Sequence, residues 1–197
     1  MTLKEMKVKT FSLIEEYYPD LEGLAEDEDV LNKINGVVNQ IQMDLMRFRK
    51  INASKSILIN KEDNKIINLK DSIDDMYQLN KIILNDNAIY DMINDETIQI
   101  PEDYSGIMMV YYYKIPKLVK VLFEDEDEKT IEDETFEFEL DQVLLEIMPY
   151  GIAADLLKMD MISGYGRHFY ERYLEMRNNI DPRRTSGVIR VEGGYNV

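Results

Sequence analysis

The chain has no cysteine, no tryptophan and one histidine, and no apolar run long enough to cross a bilayer. The missing cysteines exclude disulfides, thiolate metal sites and cysteine nucleophiles, so stability has to come from packing or assembly. No charged-then-apolar leader opens the sequence, and a soluble protein made in the cytoplasm is expected. His168 sits among Tyr165, Phe169 and Arg172 on a predicted helix, where packing or surface duty outweighs general-base duty. There is no glycine-rich phosphate loop, because no helix follows Gly193-Gly194. The run Glu124 to Glu128 lacks the glycine and the bidentate glutamate of an EF-hand loop and reads as solvated. Asp86, Asp91, Asp95 and Glu96 lie near Lys81 in sequence, but nothing in their spacing demands a metal. No catalytic residue, cofactor-binding residue or metal ligand is therefore assigned, and no cofactor is expected.

What the chain does have is acid. Its 197 residues carry a net charge of −16, and a surface of that sign repels nucleic-acid phosphates instead of collecting them. The charge is uneven: eleven carboxylates and one lysine fall between Phe123 and Asp141, while Arg167, Arg172, Arg177, Arg183, Arg184 and Arg190 gather near the C-terminus. That asymmetry favours ordered head-to-tail contacts, or else records a solvated loop beside a basic helix face.

The pattern of elements predicts an α+β protein: an N-terminal helical pair (1–55), a β-rich region (56–140), a C-terminal helical hairpin packing on the first helices (141–182) and an extended tail (183–197). Thr2 and Glu5 form a capping box for a helix that Pro19 stops near Tyr18. Val30, Ile34, Val37, Ile41, Leu45 and Phe48 give the second helix its stripe, and Gly36 within it predicts tight packing at a helix crossing. Short extended runs follow at 56–59, 65–69, 76–84, 88–91, 97–100, 107–115 and 135–140, which read as a small antiparallel sheet or sandwich. Phe136 to Leu140 alternates strictly, as a strand with one wet side does. Residues 117–123 read as an extended connection.

In the last third, Leu145, Met148, Ile152, Leu156 and Met159 recur at helical spacing, and so do Phe169, Tyr173, Met176 and Ile180. Pro149 is expected to kink or divide the first of these helices, and Gly151 with Ala153 and Ala154 lets a neighbour approach closely. Pro149, Gly151, Ile152, Leu156, Phe169 and Tyr173 are the expected hairpin-packing residues. The tail has β chemistry at Val188-Ile189-Arg190-Val191-Glu192 but no local hairpin partner. It must stay disordered, pair with its own sheet, or add to an edge supplied by another chain.

The order of these parts, a Pro-Tyr-Gly-small turn entering a helix, an aromatic helix, Asp181-Pro182-Arg183-Arg184 and a closing Gly-hydrophobic-basic strand, resembles the head-tail adaptor (connector) proteins of tailed bacteriophages. The resemblance covers Phe136 to Val197 well and is weaker upstream. It implies a dodecameric ring between the portal protein and the next neck or tail protein, in the virion neck, with DNA passing through the lumen and no membrane contact. Arg183, Arg184, Val188, Ile189, Arg190 and Val191 would then bind the portal or a ring neighbour. Two other readings remain: an acidic regulator that binds protein or mimics nucleic acid, and a metal-dependent enzyme using the carboxylates above.

Overall fold

The computed structural model describes residues 1–21, 23–85, 88–121, 126–160 and 164–180. The first helix, α1 (Leu3–Tyr17), opens with both legs of the Thr2/Glu5 capping box in place. A second helix, α2 (Glu28–Phe48), is capped by Asp27, whose Oδ1 accepts the amides of Asp29 and Val30. Both helices bury the face their periodicity marks, with Leu3, Met6, Ile34, Val38 and Leu45 inside. Gly36 is exposed, with open space where a Cβ would stand, so the expected tight crossing is not there.

Between α2 and the C-terminal helices lies a β module of two three-stranded antiparallel sheets. Its strands are β1 (Ile51–Ile59), β2 (Ile66–Asn68), β3 (Met76–Leu84), β4 (Asp91–Met92), β5 (Thr97–Gln99) and β6 (Gly106–Lys114). The larger sheet has the order β1-β6-β3 and the smaller β2-β5-β4. β1 and β6 pair along their whole lengths, from Ile51 opposite Lys114 to Ile59 opposite Gly106, so the module begins and ends at neighbouring points. Alternation sends Ile82, Leu84, Met108 and Val110 to one face, where they share a core with Leu69, Ile98 and Ile100. The buried Lys65 Nζ donates to the carbonyls of Asn60 (2.6 Å) and Tyr104 (3.0 Å), tying two loops of the module together.

The stretch from 126 to 140 departs from the expected strand. Residues Glu126–Thr135 form a helix, α3, and Phe136–Leu140 joins neither sheet. The alternation is real, since Phe136, Phe138 and Leu140 are buried and Glu137 and Glu139 are exposed or partly so. Its backbone partner is the start of the chain: Leu3 N donates to Phe136 O (3.1 Å) and Phe138 N to Met1 O (3.4 Å). A segment that looked like the last strand of the β region thus packs in the helical core. The fold is α+β, with the helical core formed by α1, α2, the 136–140 segment and the C-terminal helices.

One carboxylate joins the two halves. Glu139 accepts from Lys114 Nζ (2.6 Å) at the end of β6 and from the Lys117 amide (2.8 Å). Partial burial pushes its pKa up, but the Lys114 ammonium and the Lys117 N–H outweigh that and hold it below the usual 4.5. A lowered native pKa means the unfolded chain binds the proton more readily, so the contact stabilises above pH 4.5 and is lost as pH falls through the native value. Glu139→Gln should lower the urea midpoint at pH 7 and lower it by less at pH 3. An equal deficit at both pH values would refute an ionic role for Glu139.

Candidate functional site

The C-terminal hairpin is built by α4 (Gln142–Leu156), continued as a 3-10 turn over Leu157–Asp160, and α5 (Tyr165–Asn178). Asp141 caps α4 by accepting the Leu144 amide (3.2 Å), and Gly164 enters α5 at φ 79°, a conformation that suits glycine. Periodicity predicts a single apolar stripe on α4, yet Leu144, Leu145, Ile147, Met148, Pro149, Gly151, Ile152, Ala153 and Ala154 are all buried. A helix covered on most sides is a central one. α4 packs against α1, α2 and α5 at once. It runs through Pro149 as one continuous element, neither divided nor ended there.

Two glycines set how closely the helices approach. A Cβ on Gly151 would stand 2.9 Å from Ile41 Cγ2 of α2 and 3.0 Å from the Tyr173 ring of α5. One on Gly166 would stand 2.8 Å from the Leu157 carbonyl oxygen and 3.1 Å from that of Ala154. Of the hairpin-packing residues expected from the sequence, Pro149, Gly151, Ile152, Phe169 and Tyr173 are buried and Leu156 is half-buried; Ile152 and Tyr173 lie in the core on which Leu156 packs, and Phe169 lies in a separate cluster with Ile14, Ala153, Ala154 and Leu157.

Around that seat lies a polar network that periodicity does not reveal. Tyr173 Oη donates to Asp44 Oδ2 (2.5 Å), and Arg177 Nη1 donates to the same oxygen (2.7 Å). Burial, then the Asp44 carboxylate, pushes the Tyr173 phenol well above its ordinary range, so it stays a donor. Arg49 at the end of α2 meets the Asp141 carboxylate at 3.0 Å and so links the end of one helix to the start of another. At the β module, burial followed by the Asp75 carboxylate raises Tyr112 to about 12, and its hydroxyl donates to Asp75 (2.9 Å).

The basic residues of α5 are less available than their sequence suggests. Arg167 pairs with Glu171 (2.8 Å), Arg172 with Glu175 (2.6 Å) and Arg177 with Asp44. Three of the six C-terminal arginines are thus matched within the chain. Beside them an open groove of about 620 Å³ is lined by Arg49, Glu146, Arg172, Glu175 and Met176 and ends at Ile180. Arg183, Arg184, Val188, Ile189, Arg190 and Val191 lie outside the described residues. So do Asp86, Glu124 and Asp125.

His168 is exposed and its ring stands 5.0 Å from that of Tyr17. Lys81 lies on the side of the large sheet away from the module's core, while Asp91 belongs to the small sheet. Among the described residues, no group of three or more potential ligands could hold a metal ion.

Of the extended connection expected at 117–123, the described residues 117–121 are held by α2 in a way that the sequence pattern does not show. Asn39 grips the Val119 peptide from both sides, Nδ2 donating to its carbonyl (2.8 Å) and Oδ1 accepting its amide (2.8 Å). Asn35 Nδ2 donates to Lys120 O and Gln42 Nε2 to Lys117 O, each at 2.9 Å. These amides recur on α2 at steps of four and three, beside the apolar stripe, but the spacing alone does not show what they bind. This extended strap is held on a helix face by side-chain amides and not by a neighbouring strand. No protein-family model matches the chain, and no match is found among curated proteins.

Proposed function

We propose that the chain is a structural subunit, a head-tail adaptor whose copies form a ring joining a portal protein to the next neck or tail protein, with no catalytic role. The observation that carries this reading is the α4–α5 hairpin, in which Gly151 and Gly166 fix the approach of the helices. Ile180, the last described residue before the arginine-rich, β-patterned segment, is buried and lines the mixed-charge groove. Two of the parts on which the resemblance rests, the Pro149-Tyr150-Gly151 stretch and the aromatic helix, belong to this helical seat. Val143 and Tyr170 are exposed on that seat, apolar surface available to a neighbour.

In the ring, helices of adjacent subunits pack side by side and bury this surface. The tail then adds as a strand to an edge on the portal or on a neighbour, backbone hydrogen bonds supplying affinity and Ile189 and Val191 filling shallow pockets. Arg183, Arg184 and Arg190 pair with partner acids and fix register more than strength. Surplus carboxylates along the lumen keep passing DNA from adhering. Such a subunit is made in the host cytoplasm and ends in the virion neck.

Mixing the purified chain with the portal protein of the same genome, followed by electron microscopy, tests the reading, and a stoichiometric ring on the portal is expected. A chain truncated after Pro182 should keep its far-UV circular dichroism and melting temperature and fail to join that assembly. Assembly unchanged by the truncation would remove the tail from the interface. No assembly by the full chain would remove the function.

A further inference from the structure

Among the described residues, the large sheet of the β module leaves its outer face open toward the Leu58–Ile107 end, while Tyr113 at the other end of that face is buried with Lys50 over its ring. On β1, β6 and β3, Leu58 lies directly opposite Ile107, Met109 opposite Ile83, and Tyr111 opposite Lys81, all on the side away from the module's core. Leu58 is 67% exposed and Ile107 44%. The register makes these side chains contiguous, and contiguous exposed apolar surface marks a contact site where scattered residues would not. The same three strands, nine residues each, contain no Asp or Glu, in a chain that carries 39. Lys81, on this face, has no acidic partner among the described residues.

The complementary surface lies elsewhere on the same molecule. α3 is acidic along its length, and Ile131 stands 61% exposed within it. The strap runs beside the same turn, Lys120 contacting Glu128 and Glu132, and leaves Leu118 and Val121 exposed. One face is apolar and free of carboxylates, with an unmatched lysine; the other is apolar within carboxylates. A two-fold stack of the sheet face on itself would set Lys81 against a surface with no acid to meet it.

We propose that the β1-β6-β3 face of one copy docks on the α3 and strap face of the next, as a second lateral contact between subunits beside the helix packing. The inference rests on the ring reading above and deepens it. Two different patches on one chain make a heterologous contact, and repeating it by a fixed rotation closes a ring. Lys81 against the α3 carboxylates sets the register, and the apolar pairs exclude water.

The absence of cysteine makes the contact directly testable. Ile107→Cys and Ile131→Cys, each made singly at an exposed position, are mixed and treated with a short bismaleimide. Covalent dimers carrying a 107–131 link are expected from the mixture and only traces from either variant alone. Adding Lys81→Glu to the Ile107→Cys chain should cut the yield by about tenfold or more, since like-charge juxtaposition is costly. Circular dichroism confirms that each variant is folded.

High-yield dimers from Ile107→Cys alone would show the sheet stacking on itself and overturn the contact. So would protection of that thiol by a single-stranded oligonucleotide with no intersubunit link, which would give the face to nucleic acid. A ring on the portal without any 107–131 link overturns the contact and leaves the function standing. Absence of both the link and the ring removes both.

Discussion

Gly151→Leu is expected to destabilise the helical half by the upper end of the roughly 1–3 kcal/mol typical of overpacking, or beyond it. Even the first added carbon has nowhere to go, because Ile41 Cγ2 lies 2.9 Å and the Tyr173 ring 3.0 Å from its position. Ile41 is β-branched, with one strongly preferred rotamer in a helix, so its methyl cannot swing aside. The Tyr173 ring is tethered by its hydroxyl to Asp44, which Arg177 also holds. Moving the ring would break the Tyr173–Asp44 bond and leave a largely buried hydroxyl without its acceptor. Urea denaturation at pH 7 measures the loss, with Gly151→Ala falling between wild type and leucine. A midpoint shift near zero for leucine would mean that the three helices separate easily, and the rigid seat under the tail would go with it.

Phe136→Ala is expected to cost about 3–5 kcal/mol, the range for emptying a fully buried aromatic site. Phe136 is buried in the helical core, with its ring 5.1 Å from that of Phe138 in an edge-on arrangement. Its carbonyl accepts the Leu3 amide, so the cavity would open beside the first turn of α1. Neighbouring side chains are fixed from both sides, and collapse into the gap is restricted. Glu137→Ala removes an exposed side chain one residue away and should change stability by no more than about 0.5 kcal/mol. The two variants together test where the segment packs. A loss under about 1 kcal/mol for Phe136→Ala would return it to a surface position.

These two residues also mark what the sequence could and could not tell. Helices α1 and α2 were legible because capping residues and a 3.6-residue stripe agree, and β3 and β6 because β-favouring runs are long and cleanly bounded. Gly151 was legible as a small residue within an apolar helix. Gly36 shows the limit of that inference: it has the same residue type and lies inside a helix, yet it faces solvent. Spacing identifies a face but does not name what lies across it.

The same limit explains residues 126–140. α3 has almost no apolar periodicity, and what holds it is tertiary: Lys7 on Asp133 (2.6 Å), Lys4 on Glu134 (3.2 Å) and Lys120 on Glu128 (2.9 Å). Two of those lysines are more than a hundred positions away in the chain. Alternation at Phe136–Leu140 correctly marks one buried side, but the partner strand it implied is the first three residues of the chain. The Asn35, Asn39 and Gln42 clamp was missed for a related reason. Amides on a helix read as solvated until the backbone they bind is known.

The pairing of Ile51 with Lys114 has a consequence for how the chain becomes a protein. The stretch between them has an apolar core of its own, and its two exits lie one interstrand spacing apart, about 5 Å. To the helical layer the folded excursion behaves as a tight turn, because β1–β6 pairing closes the long loop. Evolution can lengthen, trim or exchange such an insert without re-engineering the scaffold that holds it.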